Sequence, residues 1–120
     1  MYVRKAKYSN VKTPVGDYVF DSKREAKRYS ELLILQRAGA ISGLELQPVY
    51  RFSINGKPVL IRSDGYPNGR QVRYVADFKY IDTRTGKVKW EDSKGMRTPE
   101  FILKKAFLQA ISPEIDLVEI

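Results

Sequence analysis

Apolar positions recur with helical spacing at Ala26, Tyr29, Leu32, Leu33 and Leu35, the stripe expected of a helix with one buried face. Ser22 and Glu25 stand three apart just ahead of it, a capping-box pattern that starts the helix at Asp21 or Ser22. Gly39 is a fitting stop, and Tyr18-Val19-Phe20 reads as a short strand or staple before the helix. The period then shortens to that of strands. Leu44, Leu46 and the run Val49 to Ile54 read as extended, with Pro48 a break. Asn55-Gly56 predicts a tight hairpin turn, and Val59 to Ile61 its returning strand. Residues 62–71, RSDGYPNGRQ, carry turn chemistry throughout and predict a loop. Arg73 to Asp82 reads as one strand, Thr83 to Gly86 as a turn, and Lys87 to Lys94 as the partner strand. Thr98 then caps a second helix with Pro99 in its first turn; Pro113 ends it, and Ile115 to Ile120 alternates as a last strand.

The order is helix, several antiparallel strands, helix, strand. It predicts an α/β (α+β) fold with a mixed sheet, the last strand added parallel at an edge. At 120 residues the chain suits one domain. Residues 17–120 are read as that domain and residues 1–16 as a basic arm, because Arg4, Lys5, Lys7 and Lys12 precede the first acid at Asp17.

Charge narrows the chemistry. There are 22 Lys and Arg against 14 Asp and Glu, a formal charge of +8. Such a balance favours a polyanionic partner, nucleic acid first, although it also serves solubility. The chain has neither Cys nor His. That excludes disulfides, thiol nucleophiles, zinc sites built on thiolate or imidazole, Ser–His–Asp triads and histidine-based nucleases. No apolar run is long enough to predict a membrane-spanning helix, and no apolar stretch follows the basic N-terminus, so a signal peptide is not expected.

The hairpin around residues 83–86 is the most informative segment. If those four residues form the loop, Asp82 pairs with Lys87, and the register carried along the strands sets Asp77 opposite Asp92. Lys94 then points to the same face as Asp92, and Glu91 to the other. Two facing carboxylates repel, and Val75, Ala76 and Phe78 give Asp77 an apolar setting. A divalent metal held by both is one answer. The plainer one is an exposed pair neutralised by Lys79 and Lys94.

Asp77 followed by Asp92-Ser93-Lys94 resembles the D…(D/E)-x-K core of the PD-(D/E)xK nuclease superfamily. The stretch from Phe20 to about Leu108, with FDSKREAKRY, YVADF and WEDSKG, is similar to small phage-encoded proteins of that superfamily. Ala76 departs from its pattern, which often has proline there. The resemblance implies a restriction-endonuclease-like αβββαβ core with a mixed central sheet flanked by helices. It implies metal-dependent hydrolysis of DNA, with Mg²⁺ or Mn²⁺ held by Asp77, Asp92 and the Ser93 carbonyl, and with Lys94 acting on the attacking water. It also implies a phage or prophage origin and a bacterial cytoplasm.

Glu25 would be the acid that the first helix supplies in many members, or simply part of the cap. Gln47 and Lys104 would line the site, or be ordinary polar surface. Glu91 reads as an outward or supporting acid and Trp90 as core. Lys23, Arg24, Lys27, Arg28, Arg62, Arg70 and Arg73 are candidates for DNA backbone contacts. The expected activity is that of a Mg²⁺-dependent DNA endonuclease, with branched DNA a candidate substrate and a dimer expected if both strands are cut. The rivals are a catalytically silent nucleic-acid-binding module of the same fold and an adaptor for an acidic protein.

Overall fold

The structure is a computed structural model that describes residues 12–93 and 97–120. Most of the basic arm and Lys94 lie outside them. The arm's last residues do not continue as an arm. β1 (Thr13–Val15) pairs antiparallel with β2 (Tyr18–Phe20), and the tight turn between them uses Gly16 at positive φ. Strand structure is therefore already present at Thr13, ahead of Asp17.

α1 spans Lys23–Arg37. Ser22 is its N-cap, and the Ser22 side chain accepts from the Glu25 N–H at 3.2 Å, as the capping pattern required. β3 (Ile41–Leu46), β4 (Val49–Arg51), β5 (Ser53–Ile54), β6 (Lys57–Pro58), β7 (Leu60–Ser63), β8 (Tyr66–Gln71) and β9 (Arg73–Val75) follow. β10 (Phe78–Asp82) and β11 (Val88–Asp92) form the second hairpin; then come α2 (Pro99–Ile111) and β12 (Ile115–Glu119).

The main sheet has the order β12-β11-β10-β3, with β12 parallel to β11 and the other neighbours antiparallel. Stripped of its small hairpins, the chain runs α1, β3, β10, β11, α2, β12 around this mixed sheet. The two sides are filled by different helices. Ala26, Tyr29 and Leu32 of α1 pack with Phe20, Ile41, Phe78 and Tyr80. Phe101 and Leu108 of α2 pack with Phe52, Tyr74, Ala76, Trp90 and Leu117. Strand alternation sorts the residues between these cores, since neighbours along a strand point to opposite faces.

Several expected elements change. The run Val49 to Ile54 is two strands, β4 and β5, and the strand returning from the Asn55-Gly56 turn is β6 at Lys57–Pro58 rather than Val59 to Ile61. The stretch 62–71 is a ladder rather than a loop: Leu60 faces Gln71 and Ile61 faces Arg70 across β7 and β8. Its Gly and Asn serve irregular pairing, with a register shift between Ile61 and Ser63 and Gly69 at φ +83°. The predicted strand from Arg73 to Asp82 is two strands. β9 pairs with β4, β10 pairs with β3 and β11, and the break falls at Ala76-Asp77. Among the described residues no helix is long and apolar enough to cross a membrane.

Candidate metal and nucleic-acid site

The register of the β10–β11 hairpin is the expected one, with Phe78 facing Glu91, Lys79 facing Trp90 and Ile81 facing Val88. The ladder stops at Phe78 and Glu91, so the expected direct pairing of Asp77 with Asp92 is not formed, and both residues lie at the open end of the hairpin. The Asp77 N–H donates to the Glu91 carbonyl at 3.0 Å, and the Ser93 N–H donates to Asp77 Oδ2 at 2.6 Å. The Tyr74 hydroxyl donates to Asp92 Oδ2. Both aspartates are 3 % exposed, so the plainer reading of an exposed, solvated pair does not hold. Lys79, expected to help neutralise such a pair, is only part-exposed and has its ammonium 5.6 Å from the Trp90 ring centroid.

The break between β9 and β10 is what allows this. An uninterrupted strand would send Tyr74 away with the rest of β9. Instead β9 leaves the main sheet to pair with β4, and its tyrosine returns beside Asp92. Burial first, then the Asp92 and Asp77 charges, push the Tyr74 hydroxyl far above the usual phenol range. The Asp92 charge acts on that hydroxyl most strongly, that of Asp77 less and that of Glu119 least. Glu119 faces Asp92 across the parallel β11–β12 ladder but is held by Lys105 at 2.7 Å and Arg97 at 3.0 Å. Sequence patterning gives no hint of Tyr74, because its partner depends on a strand break that the run Arg73 to Asp82 does not announce.

Glu91 differs from expectation. It is 1 % exposed and turned toward α1, where the Arg28 guanidinium grips it with Nε and Nη2, both at 2.7 Å. The Tyr80 hydroxyl donates to the same carboxylate. This two-pronged pair raises the Arg28 pKa, and burial with the Glu91 hydrogen bond raises that of Tyr80. Arg28 is therefore removed from the candidate DNA contacts: its charge is spent inside the fold, and Glu31 takes a further N–H at 3.3 Å. Lys23, Arg24 and Lys27 remain exposed on α1.

Glu25 is also buried, at 5 % exposure, in the first turn of α1. Among the described residues no group of three or more acidic side chains is placed to hold a metal ion. Gln47 adopts φ +47° between β3 and β4, and its N–H donates to the Asp77 carbonyl at 3.0 Å. It touches the site through its backbone.

Tyr74 also lines an open groove of about 420 Å³, together with Arg70, Arg73, Thr98, Glu100 and Lys104 among others. Three predicted cationic residues thus share one wall system, and Tyr74 links it to Asp92. Lys104 is partly neutralised by Glu100 at 2.8 Å. Arg70 stacks over the Tyr66 ring at 5.5 Å and donates to its hydroxyl at 3.0 Å. Arg62 is exposed on β7 and does not line the groove.

Residues 5–120 match the family described as a protein of unknown function, DUF1064. The chain belongs to the DUF1064 family. Neither a curated protein nor a solved structure matches it. The DUF1064 match covers the two helices, the mixed sheet and both aspartates, so the site described above lies wholly inside the family's span.

Proposed function

We propose that the protein is a metal-dependent DNA endonuclease of the PD-(D/E)xK type. The observation that carries this reading is the burial of Asp77 and Asp92 at the open end of the β10–β11 hairpin, with Asp92 held by Tyr74, a residue that lines a groove carrying Arg70, Arg73 and Lys104. The element order α1, β3, β10, β11, α2, β12 supports it, because it is the αβββαβ order that the resemblance implies.

The donor set suits a hard divalent cation such as Mg²⁺ or Mn²⁺. Asp77 and Asp92 would offer carboxylate oxygens, the resemblance adds the Ser93 carbonyl, and the chain has no thiolate or imidazole to compete. Each carboxylate already has one oxygen oriented by a protein donor, Ser93 N–H for Asp77 and Tyr74 O–H for Asp92. Such supporting hydrogen bonds fix ligand orientation. A bound cation would activate water and offset charge on the scissile phosphate.

The chain's own residues do the rest. Asp77 and Asp92 hold the cation, and Tyr74 keeps Asp92 aimed while remaining a neutral donor. Lys94, two residues past Asp92, orients the attacking water or meets the developing negative charge. Arg70, Arg73 and Lys104 draw the sugar–phosphate backbone along the groove, and Arg62, Lys23, Arg24 and Lys27 add diffuse attraction. Grip on the backbone rather than on base edges gives recognition of shape over sequence. A symmetric dimer would serve cutting of both strands.

The test is cleavage of labelled supercoiled plasmid, linear duplex, single strand and four-way junction in Mg²⁺, Mn²⁺ or EDTA, with Asp77→Ala alongside. Metal-dependent cutting that disappears in Asp77→Ala is expected. Folded protein that binds DNA yet cuts nothing in either metal would replace this reading with the silent binding module.

A further inference from the structure

The β4–β9 ladder sets Val49 opposite Val75, Tyr50 opposite Tyr74 and Arg51 opposite Arg73. Tyr74 is buried, whereas both arginines are exposed. Side chains directly opposite on an antiparallel pair have Cβ atoms about 5 Å apart, and like charges so placed repel. Among the described residues neither Arg51 nor Arg73 forms an ion pair with an acid. Glu100, the acid on the adjoining groove wall, is engaged by Lys104. Arg73 lines the groove and Arg51, which does not, stands opposite it, so the ladder carries an unrelieved double positive charge beside the groove. Arg51 lies in the run Val49 to Ile54, and only the register of a short, separate ladder reveals its partner.

We infer that Arg51 and Arg73 form a phosphate clamp for the DNA backbone. Two guanidinium forks at that spacing match the oxygens of a phosphodiester, which accepts bidentate hydrogen bonds. Asp77 follows Arg73 by four residues across the break between β9 and β10, so the clamp holds a phosphate flanking the one at the aspartates rather than that phosphate itself. The clamp deepens the nuclease reading and rests on it for the identity of the anion. The like-charge pair is a cost to the free protein that bound phosphate removes.

The experiment uses the full chain and a short labelled DNA duplex, with binding followed by anisotropy in EDTA across a series of salt concentrations. Arg51→Gln, Arg73→Gln and the double variant are compared with Arg84→Gln, which lies in the turn at the opposite end of β10. Each single change should lower the slope of log affinity against log salt by about one, and the double change by about two. Arg84→Gln should leave it unchanged. Arg51→Lys should keep the slope and lose affinity, since charge survives without the fork. The single Gln variants should melt no lower than the parent, and sulfate should raise the parent's melting temperature more than the double variant's.

A double variant with the parental slope and affinity overturns the clamp, as does a parent that does not bind the duplex, or Gln variants that melt well below the parent. A parent that binds with the expected slope, loses it in the double variant and still cuts no substrate would refute the nuclease reading and leave the clamp standing.

Discussion

Asp92 and Glu91 are neighbours on one strand with opposite surroundings, and the contrast comes from single side chains. Glu91 faces α1 and is neutralised in place by Arg28, with Tyr80 as a second donor. Removing one partner of a buried pair strands the other charge. Arg28→Met should therefore cost about 3 kcal/mol in urea unfolding. Arg28→Met with Glu91→Leu should recover most of that loss, because no charge then remains buried; a double variant as unstable as the single would mean that the pair itself holds the helix to the sheet. Asp92 instead faces Tyr74, and both Tyr74 and Tyr80 are buried donors to carboxylates. Phenols in the unfolded chain titrate near 10, and the fold holds both hydroxyls above that. Their contribution to stability is complete below about pH 10 and falls as pH rises past it, by up to about 1.4 kcal/mol per pH unit for each group. Lysines titrate in the same range, so the measurement is a difference. Unfolding midpoints between pH 9 and 11 should fall more steeply in the parent than in the Tyr74→Phe, Tyr80→Phe double variant, and parallel curves would contradict the assignment.

At the scale of elements, what the sequence disclosed follows from how local each signal is. The Ser22 cap, the Thr98 cap with Pro99 and the Asn55-Gly56 turn are set by a few adjacent residues, and each stands where expected. The β10–β11 register was readable because Thr83 to Gly86 fixes it. The β7–β8 ladder was not, because its Gly, Asn and Pro imitate a loop while satisfying irregular strand pairing. The Arg28–Glu91 pair spans 63 positions and depends on which sheet face α1 covers, so a helical wheel showed only a cation among cations. Gly69 marks the point where turn chemistry and strand coexist. Its φ is +83°, and a Cβ there would meet the Leu60 side chain at 3.1 Å. Gly69→Ala should therefore cost about 1–2 kcal/mol from the left-handed backbone alone. Hydrogen exchange should show that loss in β7 and β8, with the amides of β10 and β11 still protected. Equal loss of protection in both hairpins would show that the small ladder is part of the main cooperative unit.

The whole molecule places its acidic pair where its two halves meet. One core lies under α1 and the other under α2, and the aspartates sit at the end of the strands that separate them. In a chain of net charge +8 this end concentrates negative charge, and Tyr74 feels it from both carboxylates. A cation that binds the folded protein and not the unfolded chain stabilises the whole cooperative unit by mass action, about 2.7 kcal/mol at a hundredfold excess over its Kd. For a domain of this length that corresponds to a rise in Tm of roughly 10 °C. Mn²⁺ or Mg²⁺ should therefore raise the parent's Tm in a saturable way. Asp92→Asn keeps an acceptor for Tyr74 but removes one charge, so in EDTA it should melt at or above the parent, and the metal response should vanish. The control ion is K⁺ at matched ionic strength, which separates binding at the pair from general screening. A parent whose Tm ignores both divalent ions would remove the metal from the proposed chemistry, and an Asp92→Asn variant that still responds would move the cation to other carboxylates.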